Sequence, residues 1–518
     1  MNIFLRTNFN KKIGLGHLLR MLRIYSFLKE KRNYNCQIFV DRYSKKISRF
    51  IHKSKLIELY QKGKFKDQIQ DAKKFYKSIK DFKSGYVFVD DYRLDEKWEK
   101  YISNKNFSIV SFDDTNLSNH YSDYLINYDP QYIDKSKFDF KKNKKKKSTF
   151  LLGPQYSILP NNINHTKIKK NRIFKIIINF GGSGNLNLSK NIILQFIRKK
   201  YYKDIEISVV IGPLAKNRKD IFNLSKKFNF IKLVENSTDL INIYQNHHLY
   251  IGAAGTSVFE TAISKIQTIL IKITENQSTN IFSLEKLGHF IFLDRRSLSK
   301  VDKLVELIIS FKKNYSRLRK TFRPDIKIDT NGLKKIINIT LKKKKQKSLK
   351  KVIKNKKKKD YKIVKVNDKY INNYFYARNL EINTRNSTNT NKINILDHYN
   401  WWMNTKRKSF LLQKNNKNIL YFYEEKIFSK DNKIFYLSGW FACSKNCMIK
   451  DILYALNWQR RYKRKKVRWL SYIKKNNKLS ISLSKYLGWK QIDYKAIKKN
   501  NINYFKKINY NKFIFYER

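Results

Sequence analysis

The chain has 518 residues and a formal net charge of +73. Its length exceeds what one hydrophobic core organises and indicates two or three domains. The charge suggests nucleic-acid binding, but the lysines are spread over every segment. Abundant Lys, Asn and Ile with scarce Gly and Pro are what an A/T-rich coding sequence gives, so we expect coding bias and no nucleic-acid partner.

Three cysteines provide no disulfide framework, which is consistent with a reducing compartment. No apolar run approaches the ~18 residues of a membrane span. The N-terminus starts directly with a predicted strand and lacks the charged and apolar regions of a signal peptide. The sequence thus predicts a cytoplasmic protein without a membrane partner, and it leaves the oligomeric state open.

A glycine turn follows the first predicted strand, 3–5. Gly14 and Gly16 precede apolar residues at helical spacing through Leu28, which predicts a strand, a turn and a helix. Glycines let another group approach the backbone, and free N–H groups at a helix start favour an anion. His17 lies in this first turn, where the helix dipole disfavours imidazolium and leaves the ring available as a base. A capping or packing histidine fits the same stretch.

Short apolar strands alternate with helical stretches over residues 1–150, which we assign to a Rossmann-like domain. This alternation predicts a parallel sheet covered on both faces. In such sheets functional groups cluster beyond the carboxyl ends of the strands. The polar residues predicted to lie at that edge are His17, Asp90, Asp91, Tyr92, Asp113 and Asp114.

A second alternating domain covers residues 151–341. Two of its predicted strands run into the glycine-rich turns 181–184 and 252–257, and small residues at a helix start can cradle a phosphate. Glu260 follows one turn inside the next helix, where a carboxylate can hold a ribose diol. Each glycine alone fits an ordinary tight turn, but the two turns together with Glu260 favour nucleotide binding.

The rest of the chain changes character. Residues 342–360 are almost pure lysine and predict a linker or a frayed helix. Residues 361–518 are rich in Tyr, Trp and Asn and predict an α+β domain with a mostly antiparallel sheet.

With these motifs in order, the first 340 residues resemble the UDP-sugar hydrolases of pseudaminic acid biosynthesis. These are relatives of the MurG-like, two-domain nucleotide-sugar glycosyltransferases of the GT-B type. The matching stretches are 13–20, 89–95 with Trp98, 112–114, 152–154, 180–183, 252–257 with Glu260, and 275–277. The chain departs from the family at 6–8 and at Asp91. The resemblance implies an α/β fold with two Rossmann-like domains in the GT-B arrangement.

The resemblance also implies a reaction. Water attacks the anomeric carbon of a UDP-linked 2,4-diacetamido-2,4,6-trideoxy sugar and releases UDP and the free sugar with inversion. UDP leaves as a stabilised anion, so one base suffices without the paired carboxylates of ordinary glycosidases. By motif position His17 is this base, and Tyr92 and Asn276 are further catalytic residues. The implied substrate-binding residues are Gly14, Gly16, Arg20, Asp91, Gly181, Gly182, Ser183, Gly255, Thr256, Ser257, Glu260 and Gln277. Helix amides can hold the diphosphate, so we expect no metal and no cofactor.

Residues 361–518 resemble the GNAT acetyltransferases, particularly those that acetylate the 4-amino group of a UDP-sugar. This resemblance implies acetyl-CoA as a cofactor and a bifunctional protein. The implied site residues are Arg378, Asn379, Trp402 and Asn477. The family's glycine pattern, which cradles the coenzyme A pyrophosphate, is missing from 443–449, so a degenerate domain that docks or carries the sugar is the alternative.

Two other functions stay open at the level of sequence. A GT-B glycosyltransferase would use the same nucleotide-sugar site with an acceptor in place of water. A basic nucleic-acid-binding protein would show tight, steeply salt-dependent binding, although the sequence offers no recognised binding module.

Overall fold

The structure is a computed structural model. It describes residues 1–10, 14–31, 33–42, 56–60, 63–160, 163, 172–182, 184, 186–235, 237, 240–274, 277, 280–298, 301–342, 361–388, 390–429, 431–462, 467–499, 504–505 and 510–518. By its internal contacts the chain divides into two compact units. The first comprises Met1–Val305 and Tyr315–Leu349, and the second Glu306–Asn314 and Lys350–Arg518. The predicted lysine-rich linker, 342–360, lies outside the described residues except for Lys342.

The first sheet has seven parallel strands in the order β3-β2-β1-β4-β5-β6-β7. They are β1 (Asn2–Thr7), β2 (Asn35–Val40), β3 (Leu56–Glu58), β4 (Gly85–Asp90), β5 (Phe107–Phe112), β6 (Tyr124–Asn127) and β7 (Thr149–Leu152). Its helices are α1 (Gly16–Lys29), α2 (Gln68–Ile79) and α3 (Glu96–Ser103).

The second sheet has six parallel strands in the order β10-β9-β8-β11-β12-β13. They are β8 (Phe174–Asn179), β9 (Ile205–Ile211), β10 (Ile231–Glu235), β11 (Leu249–Ala253), β12 (Gln267–Lys272) and β13 (Ile291–Asp294). The helices after β8 are α4 (Leu186–Arg198), α5 (Arg218–Lys227), α6 (Ile241–Gln245), α7 (Ser257–Ser264), α8 (Ile281–Lys286), α9 (Val301–Thr321) and α10 (Gly332–Thr340).

Apolar content explains these two sheets. All six residues of β12 are buried, as is typical of a parallel strand covered on both faces. One hydrophobic core runs from β1 and α1 through β8, β11 and α7. The predicted fold class, two Rossmann-like α/β domains in the GT-B arrangement, is confirmed, since both sheets are parallel and their carboxyl edges line one cleft.

The second unit contains a seven-stranded mixed sheet in the order β14-β15-β16-β17-β18-β20-β19. Its strands are β14 (Tyr361–Lys365), β15 (Lys408–Lys414), β16 (Lys417–Phe428), β17 (Ile434–Ala442), β18 (Arg468–Lys474), β19 (Lys490–Ile492) and β20 (Phe513–Glu517). Its helices are α11 (Ile371–Arg378), α12 (Glu381–Thr384), α13 (Ile395–Asn404), α14 (Ile449–Tyr462), α15 (Lys478–Tyr486) and α16 (Tyr494–Lys499). Among the described strands of this sheet, only β17 and β18 pair in parallel, which confirms the predicted α+β domain with a mostly antiparallel sheet.

No helix in the described part of the chain is long and apolar enough to cross a membrane.

Candidate active site

A cleft of about 300 Å³ lies in the first unit where the carboxyl ends of both parallel sheets meet. From the first sheet it receives the turns after β1, β4 and β5 and the end of β6. From the second it receives the turns after β8, β9, β11 and β12. Ligands of open α/β sheets bind outside the carboxyl ends of strands, so the topology makes this cleft the candidate active site.

One turn of the first sheet touches two turns of the second inside the cleft. Gly14 has a φ of +83°, a conformation that favours glycine. A Cβ added to Gly16 would lie 3.5 Å from Oγ1 of Thr256, and one added to Gly182 would lie 2.6 Å from the side chain of Leu15. The turn before α1 therefore packs directly against the glycine turns of the second sheet.

His17 is buried and bound to a carboxylate at the cleft. Its Nδ1 lies 2.5 Å from Oδ1 of Asp90, the last residue of β4, and the edge of its ring meets Tyr92 at a centroid distance of 4.6 Å. An Asp on Nδ1–H fixes the imidazole tautomer and leaves Nε2 to accept a proton. No other hydrogen bond to the ring is found among the described residues. The pair can act as an oriented general base.

The prediction that the helix start disfavours the protonated form of His17 is wrong. Burial lowers its pKa, but the charge of Asp90 and the hydrogen bond to it raise the pKa by more, so that it lies above the ordinary value of 6.5. A helix dipole contributes only a fraction of what an adjacent buried carboxylate does. The ring is thus a stronger base than predicted, and protonated over a wider pH range.

Arg20 joins two carboxylates behind His17. Its Nη1 donates to Asp90 Oδ1 at 3.3 Å and its Nη2 to Asp114 Oδ2 at 2.7 Å. The hydroxyl of Tyr92 donates to the same Asp114 oxygen at 2.9 Å. Burial raises the pKa of Asp114, but the charge of Arg20 outweighs it and the pKa is lowered. Asp114 is therefore ionised and holds Tyr92 in place.

Asp91, predicted to bind substrate, does not line the cleft. Its carboxylate accepts hydrogen bonds from Nε and Nη2 of Arg93, at 2.9 and 2.5 Å. Arg93 also binds Asp41, which in turn holds the fully buried Arg6. Arg6 and Asp91, which come from the two places where the chain departs from the family pattern, thus belong to one partly buried ion network.

The second sheet contributes backbone groups and small side chains. Gly181, with a φ of +85°, donates its N–H to Asn179 Oδ1 at 2.9 Å. The hydroxyl of Ser257 donates to the carbonyl of Ala253 at 3.1 Å at the start of α7. Gly182, Gly255, Thr256 and Gln277 also line the cleft, while Ser183 and Asn276 lie outside the described residues.

Glu260 lines the cleft, as predicted for a ribose-binding group, but already has a partner. Its Oε1 lies 2.5 Å from Nη2 of Arg23 in α1. Arg23 was missed at the level of sequence. His17, Arg20 and Arg23 are spaced i, i+3, i+6, which places them on one face of α1, and this spacing could have identified Arg23 as a site residue.

No group of three His, Cys, Asp or Glu side chains suited to a metal occurs in the part of the chain that the structure describes. The prediction that the reaction needs no metal stays a prediction.

A second cavity, of about 570 Å³, lies within the second unit between β17 and β18. These strands pair only from Phe435 to Leu437 and from Arg468 to Leu470. Beyond those residues both strands line the cavity. Two of the four predicted acetyltransferase residues, Arg378 and Asn477, line it as well.

The other two predicted residues have internal partners instead. The amide of Asn379 bonds both polar backbone groups of Ile393, at 2.8 and 3.0 Å. The indole Nε1 of Trp402 donates to Asp368 Oδ1 at 2.9 Å. Neither residue lines the cavity, so their contacts are those of structural residues.

The region after β17 does not fit the pyrophosphate of acetyl-CoA. The acceptor at the start of α14 is Asp451, whose Oδ2 takes the N–H of Met448 at 3.0 Å. Its Oδ1 takes the hydroxyl of Tyr361 at 2.5 Å. Burial raises the pKa of Asp451, but these hydrogen bonds and Lys414 lower it overall. A carboxylate thus occupies the helix end that an anionic pyrophosphate would need.

Comparisons with known proteins set the chain among distant relatives. No family model matches it. An uncharacterized protein of Methanocaldococcus jannaschii is 27% identical over 291 residues, which cover 54% of this chain and 57% of that protein. The chain thus spans little more than half the length of this relative.

Solved structures of low identity align with about two thirds of the chain. MurG of Acinetobacter baumannii is 10% identical with a TM-score of 0.43, covering 66% of this chain and 100% of that one. UDP-GlcNAc 2-epimerase from Neisseria meningitidis, bound to UDP-GlcNAc, is 12% identical with a TM-score of 0.44, covering 66% and 100%. S. aureus MnaA with UDP is 10% identical with a TM-score of 0.44, covering 65% and 95%. None of these comparisons assigns a family or a reaction to the chain.

Proposed function

We propose that the first unit hydrolyses a UDP-linked 2,4-diacetamido-2,4,6-trideoxy sugar to UDP and the free sugar. The observation that carries this proposal is that His17, hydrogen-bonded to the buried Asp90, and the glycine turn Gly255–Ser257 line the same cleft. A base and a diphosphate-binding turn on opposite sides of a sugar are the two elements that the reaction requires.

In the proposed reaction, Nε2 of His17 accepts a proton from water as the water oxygen forms a bond to the anomeric carbon. The bond from that carbon to the UDP oxygen breaks, and its electron pair leaves with UDP. Because attack and departure occur on opposite faces, the configuration inverts. The Asp90 carboxylate stabilises the imidazolium that forms, and the proton then passes to solvent.

The second sheet would hold the leaving group. Backbone N–H groups at the Gly255–Ser257 turn and the positive end of α7 would face the diphosphate, whose negative charge grows as the bond breaks. Gly181 leaves room for a close approach, because a Cβ added there would meet nothing within 4 Å, whereas the space beside Gly182 is filled by Leu15. Glu260 would accept hydrogen bonds from the ribose hydroxyls.

The first-sheet residues would hold the sugar. Tyr92 is 36% exposed and its ring lies beside His17. Arg20 donates hydrogen bonds to both Asp114 and Asp90 and so fixes the two carboxylates relative to each other. Asn276, which the family resemblance names as a catalytic residue, keeps that role as part of the proposal.

The test is an incubation with the UDP-sugar and no acceptor. Release of equimolar UDP and free sugar supports hydrolysis. The variant His17→Asn should still bind UDP but lose about 10²–10⁴-fold in turnover, the usual contribution of a general base. UDP release only in the presence of an added acceptor would establish a glycosyltransferase, which could use the same base and the same turn.

The predicted acetyl-CoA-dependent activity of the second unit is untested. The cavity between β17 and β18 and its lining residues Arg378 and Asn477 support a ligand site, whereas Asp451 at the start of α14 argues against acetyl-CoA. Binding of acetyl-CoA, measured by calorimetry on the full chain, decides between these observations.

A further inference from the structure

Arg23 and Glu260 form an ion pair inside the cleft. Nη2 of Arg23 lies 2.5 Å from Oε1 of Glu260, and Nη1 donates to the carbonyl of Ile158 at 3.1 Å. The two side chains are 22% and 11% exposed, and both line the cleft. The guanidinium is thus fixed at two points and holds one oxygen of the carboxylate.

In this arrangement only one of the two carboxylate oxygens of Glu260 has a hydrogen-bond partner among the described residues. Oε1 is bound to Arg23, and no hydrogen bond to Oε2 is found among the residues that the structure describes. Because Oε1 is held by a guanidinium that is itself fixed at two points, the carboxylate keeps one orientation. Oε2 is therefore a fixed, charged acceptor at the wall of the cleft.

We propose that Arg23 is a positioning residue that makes the site selective for a ribonucleotide over its deoxy analogue. By fixing the charge and the orientation of Glu260, it presents Oε2 to a ribose hydroxyl. This inference rests on the proposed function, in which Glu260 contacts the ribose. A hydrogen bond to a charged acceptor discriminates strongly, because the analogue without the hydroxyl leaves the carboxylate unpaired.

The test compares UDP with 2′,3′-dideoxy-UDP by calorimetry on the full chain. The wild type should prefer UDP by about tenfold or more. Glu260→Gln should reduce this preference to about threefold or less, since the acceptor loses its charge. Arg23→Met should also reduce the preference for UDP to about threefold or less. Its affinity for the dideoxy analogue should stay within about twofold of the wild type.

The double variant separates positioning from a general structural effect. If Arg23 acts through Glu260, adding Arg23→Met to Glu260→Gln should change the preference no further. Because Arg23→Met removes the cation from a buried carboxylate and can destabilise the fold, Arg23→Lys is the second variant. Lysine keeps the positive charge but cannot bind Glu260 and the Ile158 carbonyl through two guanidinium nitrogens. Arg23→Lys should therefore give a preference for UDP between those of the wild type and Arg23→Met.

The matched control is Arg198→Met, which removes an exposed arginine at the end of α4 outside the cleft. It should keep the wild-type preference. The inference is overturned if Arg23→Met also keeps that preference, or if the double variant loses more than Glu260→Gln alone. A wild-type chain that binds both nucleotides equally overturns this inference and leaves the proposed function standing. One that binds neither overturns both.

Discussion

Replacing Asp90 by Asn tests the base and its partner together. The change removes the charge from an acceptor that is fully buried and 2.5 Å from His17 Nδ1. A hydrogen bond to a charged group contributes about 1.5–3 kcal/mol and a neutral one about 0.5–1.5 kcal/mol. If the lost difference, about 1–1.5 kcal/mol, is felt in the transition state, kcat falls about 5- to 13-fold.

The same substitution should shift the pH profile of kcat/KM. His17 must be neutral to accept a proton, so activity rises as pH increases through its pKa, which in the wild type is raised above 6.5. Burial lowers this pKa and Asp90 raises it. Asp90→Asn removes the raising influence, and the acid limb should move to lower pH.

The assay is UDP release from the UDP-sugar, measured as kcat and kcat/KM between pH 5 and pH 9. The control is Asp91→Asn, an adjacent carboxylate bound to Arg93 outside the cleft, which should leave the acid limb in place. An unchanged acid limb in Asp90→Asn would refute the pairing. A loss as large as that of His17→Asn would show that the Asn amide donates to Nδ1 and holds the ring in the unproductive tautomer.

Four further predictions concern stability, metal and cofactor. Burial lowers the pKa of His120, but Glu99 and Asp113 raise it to about 10. The stability that protonated His120 contributes should therefore be complete below pH ~6.5 and disappear as pH rises towards 10. The thermal midpoint should fall over this range, and His120→Gln should reduce that fall. Gly182→Ala would place a Cβ 2.6 Å from Leu15 and should cost about 1–3 kcal/mol by denaturant titration, whereas Gly255→Ala, whose Cβ meets nothing nearer than 3.9 Å, should cost less. Turnover should be unaffected by EDTA, and chelator-sensitive activity would contradict metal independence. Acetyl-CoA should produce no saturable heat of binding, because the carboxylate of Asp451 occupies the end of α14, and micromolar binding would show that the cavity holds the pyrophosphate in another way.

The two parallel sheets and the turns at their edge were predictable because they depend on local sequence. The apolar strand at 174–179 and the glycines after it define a strand and a tight turn within a dozen residues. The same is true of Gly14 and Gly16 before α1. Parallel topology then brings such turns to one edge without further information.

Charge states and pairings were not predictable, because they depend on residues distant in sequence. His17 and Asp90 are 73 residues apart, and Arg23 and Glu260 are 237 apart. Asp91 carries the same side chain as Asp90 and lies next to it, yet the alternation of side chains along an extended chain gives the two carboxylates different partners. Sequence alone places both at the edge and cannot say which one faces His17.

In the second unit, the composition indicated the mixed sheet but not which polar residues line its cavity. Arg378 and Asn379 are consecutive, and only Arg378 lines it. Asn379 instead closes a turn with the backbone of Ile393. A polar residue that satisfies buried backbone groups looks identical in sequence to one that contacts a ligand.

The continuous hydrophobic core of the first unit limits how this chain can be divided. Tyr128, next to the first sheet, packs against Phe259 of α7 at a ring-centroid distance of 4.9 Å, and both belong to a core shared by the two sheets. A fragment ending near residue 150 would expose this seam to water and should aggregate when produced alone. Biochemical dissection of this chain should therefore keep both sheets in one polypeptide and rely on point substitutions.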